Sequence, residues 1–186
     1  MIRLLATAAI TGLLLNAAVM PTRAAAQTAA LASDSGFIAT AGSLGLLQAK
    51  LGKMAQDKAT SAAVREFGKK MVDEYAQANE KLAGGAKQAA YPSPILLRQH
   101  KQVVERFSKM GKGSFGKNYM ADALSDHNEA VRLYQEESES GKIASLKQLA
   151  AGLLPSVQQH QALARETAGT VGADVTATAK AERQGT

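Results

Sequence analysis

Residues 37–55 read Phe37-Ile-Ala-Thr-Ala-Gly-Ser-Leu-Gly-Leu-Leu-Gln-Ala-Lys-Leu-Gly-Lys-Met-Ala55. Phe37, Ala41, Leu44, Gln48, Leu51 and Ala55 recur at alternating steps of four and three, so they fall on one side of a helix with 3.6 residues per turn. Leu47 and Met54 widen the stripe. Ser33 or Asp34 is placed to cap this helix, which is expected to run to about Lys58. An amphipathic helix of this length cannot bury its stripe alone and needs partners of the same kind.

The partners follow along the chain. Thr60 or Ser61 caps a second helix with the stripe Val64, Phe67, Met71, Glu74 or Tyr75, Ala78 and Leu82. Gly84-Gly85 weakens its end and Tyr91-Pro92-Ser93-Pro94 stops it. Ser93, followed by Pro94, is read as the cap of a short third helix carrying Leu96, Leu97, Val103, Val104 and Phe107. Gly111, Gly113 and Ser114 form the next break. A fourth helix carries Phe115, Tyr119, Ala123, His127, Ala130, Tyr134 and Glu137, and Gly141 ends it. The fifth carries Ile143, Leu146, Leu149, Leu153, Val157, His160 and Ala164. Pro155 inside it is expected to kink it and free the carbonyl of Ala151. The fold class is therefore all-α: an up-and-down four-helix bundle with one short extra helix, spanning residues 34–169. Residues 170–186 are expected to form a disordered tail, being Ala, Thr and Gly with scattered charge.

Composition agrees. Ala and Leu dominate, and the 186 residues include only 4 Tyr, 4 Phe and no Trp. Alanine costs least in a helix, and residues that favour strands are sparse. With no cysteine, the chain has no disulfide, thiolate metal site or catalytic thiol. Residues 1–26 have the form of a cleavable signal peptide. Arg3 is the basic start, Leu4 to Met20 the apolar run, Pro21 the break, and Ala24-Ala25-Ala26 the small-residue cleavage site before Gln27. The run is shorter than the roughly 20 apolar residues of a spanning helix. Residues 27–33 are expected to be a flexible N-terminus. Removing Arg3 and Arg23 leaves 20 basic against 16 acidic residues. That modest excess, outside the cytoplasm, makes nucleic acid an unsuitable partner and an anionic envelope surface a suitable one.

Each long helix carries a polar residue on its apolar stripe: Gln48, Glu74, His127 and His160. Gln48, Glu74 and His127 lie close to the middle of their helices and His160 a little beyond, so in an antiparallel bundle the four are expected to converge. Two readings stand. One is a buried hydrogen-bond network, in which an amide, a carboxylate and two imidazoles satisfy one another, joined by Tyr75, Tyr119 or Tyr134. The other is a metal site, best suited to a single Zn or Cu ion. The Glu-x-x-His pairs of di-iron bundles are absent, since Leu124 and Val157 stand three residues before His127 and His160. His100 follows Leu97 in the same spacing. The chain has no G-x-S-x-G, P-loop or H-E-x-x-H, and no catalytic residue is assigned.

Charge is split unevenly. Between residues 98 and 117, Arg98, Lys101, Arg106, Lys109, Lys112 and Lys117 stand against Glu105 alone, while residues 118–140 hold six acids against Arg132 alone. The simplest reading is two solvated faces that pair with each other. The alternative is a basic edge that touches anionic lipid or polysaccharide.

The blocks Phe37–Lys53, Val64–Asp73, Tyr119, Asp126–Tyr134 and Leu154–His160 resemble, in order and spacing, an exported bacterial domain-of-unknown-function family, four-one-four-two, whose members are often described as outer membrane proteins. The resemblance covers about residues 35–168. It implies a ferritin-like bundle in the periplasm of a Gram-negative bacterium, with a binding or structural envelope role, and association with the outer membrane is open. A metal-binding bundle with redox or metal-storage activity is the alternative. The resemblance further implies glutamate at the position of Gln48, Asp-His at Glu74-Tyr75, and histidine at His127 and His160.

Overall fold

The computed structural model describes residues 34–174. The expected signal peptide, the flexible segment 27–33 and most of the expected tail lie outside them. The described residues form five helices: α1 (Asp34–Lys58), α2 (Ala62–Gln88), α3 (Arg98–Lys109), α4 (Lys112–Ser140) and α5 (Ala144–Thr170). The chain is an all-helical bundle of four long helices with one short extra helix. Among the described residues no helix is long and apolar enough to cross a membrane.

α1 packs on α2, α4 on α5, α1 on α4, and α2 on α5, which arranges the four around a common axis with α3 against the outside of α1. Three-residue turns make α1–α2 and α4–α5 antiparallel hairpins. The hairpins do not simply alternate. Asp34 meets the α4–α5 turn and Lys58 meets the end of α3, so α1 and α4 are also antiparallel. It follows that α2 and α4 run the same way, on opposite corners. The segment 89–111, with α3 in it, crosses the length of the bundle to connect them. One long crossover of this kind is what ferritin-like bundles use.

The core divides into two apolar clusters. One contains Leu51, Val64, Phe67, Met71, Phe107, Phe115, Tyr119 and Ala164. The other contains Phe37, Ile38, Leu44, Leu82, Leu133, Tyr134, Leu146 and Val157. Fully burying a side chain such as Leu or Phe contributes roughly 1.5–3 kcal/mol. Where α1 crosses α2, Gly52 and Gly68 face each other. A Cβ on Gly52 would lie 2.5 Å from the carbonyl oxygen of Gly68, so only glycine lets the backbones come this close.

Several local expectations change. The third helix starts at Arg98 and not at Ser93-Pro94. Pro94 sits in a notch left by Gly42, where a Cβ would come within 2.3 Å of it, and the Leu97 amide donates to Ser43 Oγ at 2.8 Å. Those contacts hold residues 91–97 extended along α1. The fourth helix begins at Lys112 and runs through Gly113 and Ser114, which are exposed and were expected to form a break. Pro155 lies inside α5, as its spacing indicates, and its position and that of Ala151 are both on the solvent side, where water can satisfy the freed carbonyl. Residues 171–174, expected in the tail, close α5 instead: the Ala173 amide donates to the Ala168 carbonyl, and Val171 and Ala173 pack on the core.

Asp34 does not serve only its own helix. Its carboxylate accepts the amides of Lys142 at 2.7 Å and Ile143 at 3.1 Å, tying the start of α1 to the turn that begins α5. Glu137, 3% exposed, lies beside it. Burial, together with the charge of Asp34 and a hydrogen bond to it, pushes the Glu137 carboxyl up to about 7 from an ordinary 4.5. The folded chain thus keeps a proton that the unfolded chain has already lost. The resulting stability is full below about pH 4.5, falls as pH rises, and is gone above about 7. Relative to Glu137→Gln, the wild-type protein should lose up to ~3 kcal/mol between those limits, measured by urea unfolding at stepped pH. A difference that stays constant across the window would contradict this placement of the carboxyl.

Candidate functional site: a polar belt across the bundle

The two apolar clusters are separated by a layer of polar side chains. On α1, Leu44 belongs to one cluster and Leu51 to the other, with Gln48 between. Tyr75 on α2, His127 on α4 and His160 on α5 occupy the corresponding level. Helical spacing puts these residues on the stripes, and the antiparallel packing puts the middles of the helices side by side.

His127 is fully buried. Its Nδ1 lies 2.6 Å from the carbonyl oxygen of Ala123, one turn back on α4. A carbonyl only accepts, so Nδ1 carries the hydrogen, and Nε2 is left to accept from the Tyr75 hydroxyl at 3.1 Å. Burial pushes the His127 imidazole down to about 4, against the partial support of the Ala123 carbonyl. It is a neutral ring at physiological pH. Tyr75 is buried too, and burial drives its phenol well above the ordinary range, so it stays a hydroxyl and a donor. Its ring lies 5.9 Å from His127 and 5.3 Å from His160, between centroids, and the two imidazoles meet edge to face at 5.7 Å.

His160 is 3% exposed, and its Nε2 lies 2.5 Å from Glu74 Oε2. Burial lowers the pKa of the ring, opposed by Glu74. Glu74 is half-buried at the edge of the bundle. Burial raises its carboxyl, but hydrogen bonds from Lys70 and His160 outweigh that and hold it below the usual value. A neutral His160 therefore donates from Nε2 to a carboxylate and turns a bare lone pair at Nδ1 inward, where it is buried without a hydrogen-bond partner. The pair opens on a cleft of about 390 Å³ between α2 and α5, whose rim includes Gln77, Lys81, Ser156 and Gln159.

Gln48 is buried at the same level but turns away from the histidines. Its Nε2 donates to Asp126 Oδ2 at 2.7 Å, linking α1 to α4, while its Oε1 has no partner. Burial, with Asp122 and Glu129 nearby, pushes the Asp126 carboxyl well up. The structure thus brings together His127, His160 and Glu74 through Tyr75, and sets Gln48 apart with Asp126. Tyr119 and Tyr134 are buried in the apolar clusters, and neither hydroxyl has a partner. Asp126, one residue before His127, reads in the sequence as part of a solvated acidic face, but a step of one residue on the helix turns it toward α1, where Gln48 meets it.

The donor set does not fit a metal ion as it stands. Both nitrogens of His127 are engaged, Gln48 is turned to Asp126, and among the described residues no three His, Asp or Glu side chains gather where an ion would be held.

One family model matches residues 19–167, from before the start of α1 to the last turn of α5. The chain belongs to the DUF4142 family. That family is described as a domain of unknown function. Neither a curated protein nor a solved structure matches the chain. In this chain the Tyr75 phenol fills the central place between the two imidazoles and supplies a hydroxyl donor there.

Two substitutions test the link. Tyr75→Phe leaves His127 Nε2 unpaired and His127→Leu leaves the Tyr75 hydroxyl unpaired. Each should cost about 1–3 kcal/mol, because a buried polar group loses its partner. Tyr75→Phe combined with His127→Leu should cost less than the sum, as measured by chemical denaturation. Strict additivity would mean that the two side chains do not share a bond.

Proposed function

We propose that this DUF4142 protein is exported to the periplasm through its signal peptide and acts in the cell envelope by binding a small polar molecule. The observation that carries this reading is the Glu74–His160 pair, a carboxylate and a buried neutral imidazole at the floor of a polar cleft. Such a pair can offer a negative oxygen, and the rim adds the amides of Gln77 and Gln159, the hydroxyl of Ser156 and the ammonium of Lys81. Convergent polar groups in a concave site are what orient a small ligand. The metal-binding alternative, with redox or storage activity, finds less support in a donor set whose central member, His127, has both nitrogens engaged.

Export is tested by intact mass and N-terminal sequencing of the native periplasmic protein, which should begin at Gln27; a full-length species in the membrane fraction would contradict it. Binding is tested by a thermal-shift screen of the mature protein against small polar metabolites, with Zn²⁺ and Cu²⁺ as separate arms. One metabolite class should raise the Tm in proportion to occupancy, and Glu74→Ala should abolish the rise. A stoichiometric, sub-micromolar Zn²⁺ or Cu²⁺ site, lost in both His127→Ala and His160→Ala, would establish the metal reading instead. No shift by any arm would leave a purely structural role.

A further inference from the structure

The crossover presents a second surface, remote from the belt in function and built on different residues. Residues 91–97 form an extended strap fixed at both ends of its contact with α1. Pro94 fills the notch at Gly42, and Ser43 Oγ accepts the Leu97 amide and is hydrogen-bonded to Nδ1 of the buried His100 at 2.6 Å. Pro92 and Pro94 restrict the backbone further. Against the strap runs an apolar groove of about 390 Å³, with Ile38, Tyr91, Pro94 and Leu97 in its walls. Ile95 stands at its edge, 66% exposed, the one large hydrophobic side chain left open among the described residues. A rigid strap that holds an isoleucine out in water costs free energy and gives the bundle no packing in return.

The charges beside it are also out of place structurally. α3 opens with Arg98 and Lys101 in its first turn and has no acid there. Cations at a helix N-terminus oppose the macrodipole and weaken the helix. Of the six basic residues between 98 and 117, Arg106 pairs with Asp122 and Lys109 with Glu105. Arg98 and Lys101 are exposed and have no ion pair among the described residues, and they follow Ile95 by three and six positions. An apolar anchor, an apolar groove and uncompensated cations on one edge are complementary to a surface that is apolar within and anionic outside.

We infer that the strap edge, through Ile95, Arg98 and Lys101, docks the protein on the surface of an anionic phospholipid bilayer. Ile95 enters the boundary between headgroups and chains, and the two cations meet the phosphates. Arg106 and Lys109 are neutralised by Asp122 and Glu105 and contribute less. This inference is independent of the cleft between α2 and α5, and either can fail without the other.

The test is flotation of mature protein, residues 27–186, with vesicles of phosphatidylglycerol and phosphatidylcholine, and with phosphatidylcholine alone, at low and high salt. Binding is expected to the anionic vesicles, with a steep loss at high salt. Arg98→Gln combined with Lys101→Gln should weaken it roughly 30-fold, at about 1 kcal/mol per cation near an anionic surface. Ile95→Ser should weaken it about tenfold. Arg106→Gln with Lys109→Gln should have little effect. All five sites are exposed, and circular dichroism melts confirm that the variants fold. The inference is overturned by absent binding, by equal binding to neutral vesicles, by equal losses in the two paired variants, or by binding that arises only when residues 27–33 are deleted, since that would make the leading segment the occupant of the groove.

Discussion

A fully buried imidazole in the centre of a helical bundle has to be satisfied at both nitrogens or it destabilises the fold. His127 meets that requirement with the carbonyl of Ala123 on its own helix and the hydroxyl of Tyr75 from the opposite corner. The second bond ties α2 to α4 across the diagonal, beside the ring contacts that Phe67 makes with Tyr119 and His127. Tyr75 to His127 is thus a bond across the axis. Gln48 to Asp126 joins α1 to α4 at the same level, and His160 to Glu74 joins α5 to α2. Apolar stripes of Ala and Leu slide past one another at little cost, whereas these bonds have one register. The belt fixes how the four helices align, and the clusters on either side supply the hydrophobic stabilisation.

The same constraint separates what is rigid from what is accessible. His127 and Tyr75 are sealed, and His127 stays neutral, so neither can exchange protons with solvent at ordinary pH. Glu74 and His160 form the end of the belt that reaches the surface, and the cleft opens there because α2 and α5 present polar residues to each other on that side. Asp34 and Glu137 act at the end of the bundle, where a carboxyl pair holds the first turn of α1 to the start of α5. Polar chemistry in this protein is therefore layered, with one set at the centre and one at the end.

The helices themselves were legible from spacing, because long stripes at steps of three and four admit few alternatives. The level shared by Gln48, His127 and His160 was legible for the same reason. Partners were not. Whether Glu74 or Tyr75 holds the core slot depends on a rotation of about 100° per residue, and the sequence left both open. The structure puts Tyr75 inside and Glu74 at the rim. Gln48 and Asp126 pair across a tertiary contact that no local pattern encodes. Glu137 did lie on the expected stripe, and its burial follows from that, but its partner Asp34 is more than a hundred residues away in sequence. Ser93-Pro94 carried a sound helix-start signal and lost to a contact with Gly42 that spacing alone does not reveal.

The protonation of His127 reports directly on whether Tyr75 closes the belt across the core. Nitrogen-15 NMR of the mature protein, followed from pH 8 downward, reads which ring nitrogen holds the hydrogen and where the ring titrates. Hydrogen is expected on Nδ1, with an unprotonated Nε2 and no titration of His127 until the pH approaches about 4. Hydrogen on Nε2, or a titration near the ordinary value of 6.5, would show that Tyr75 does not close the belt across the core.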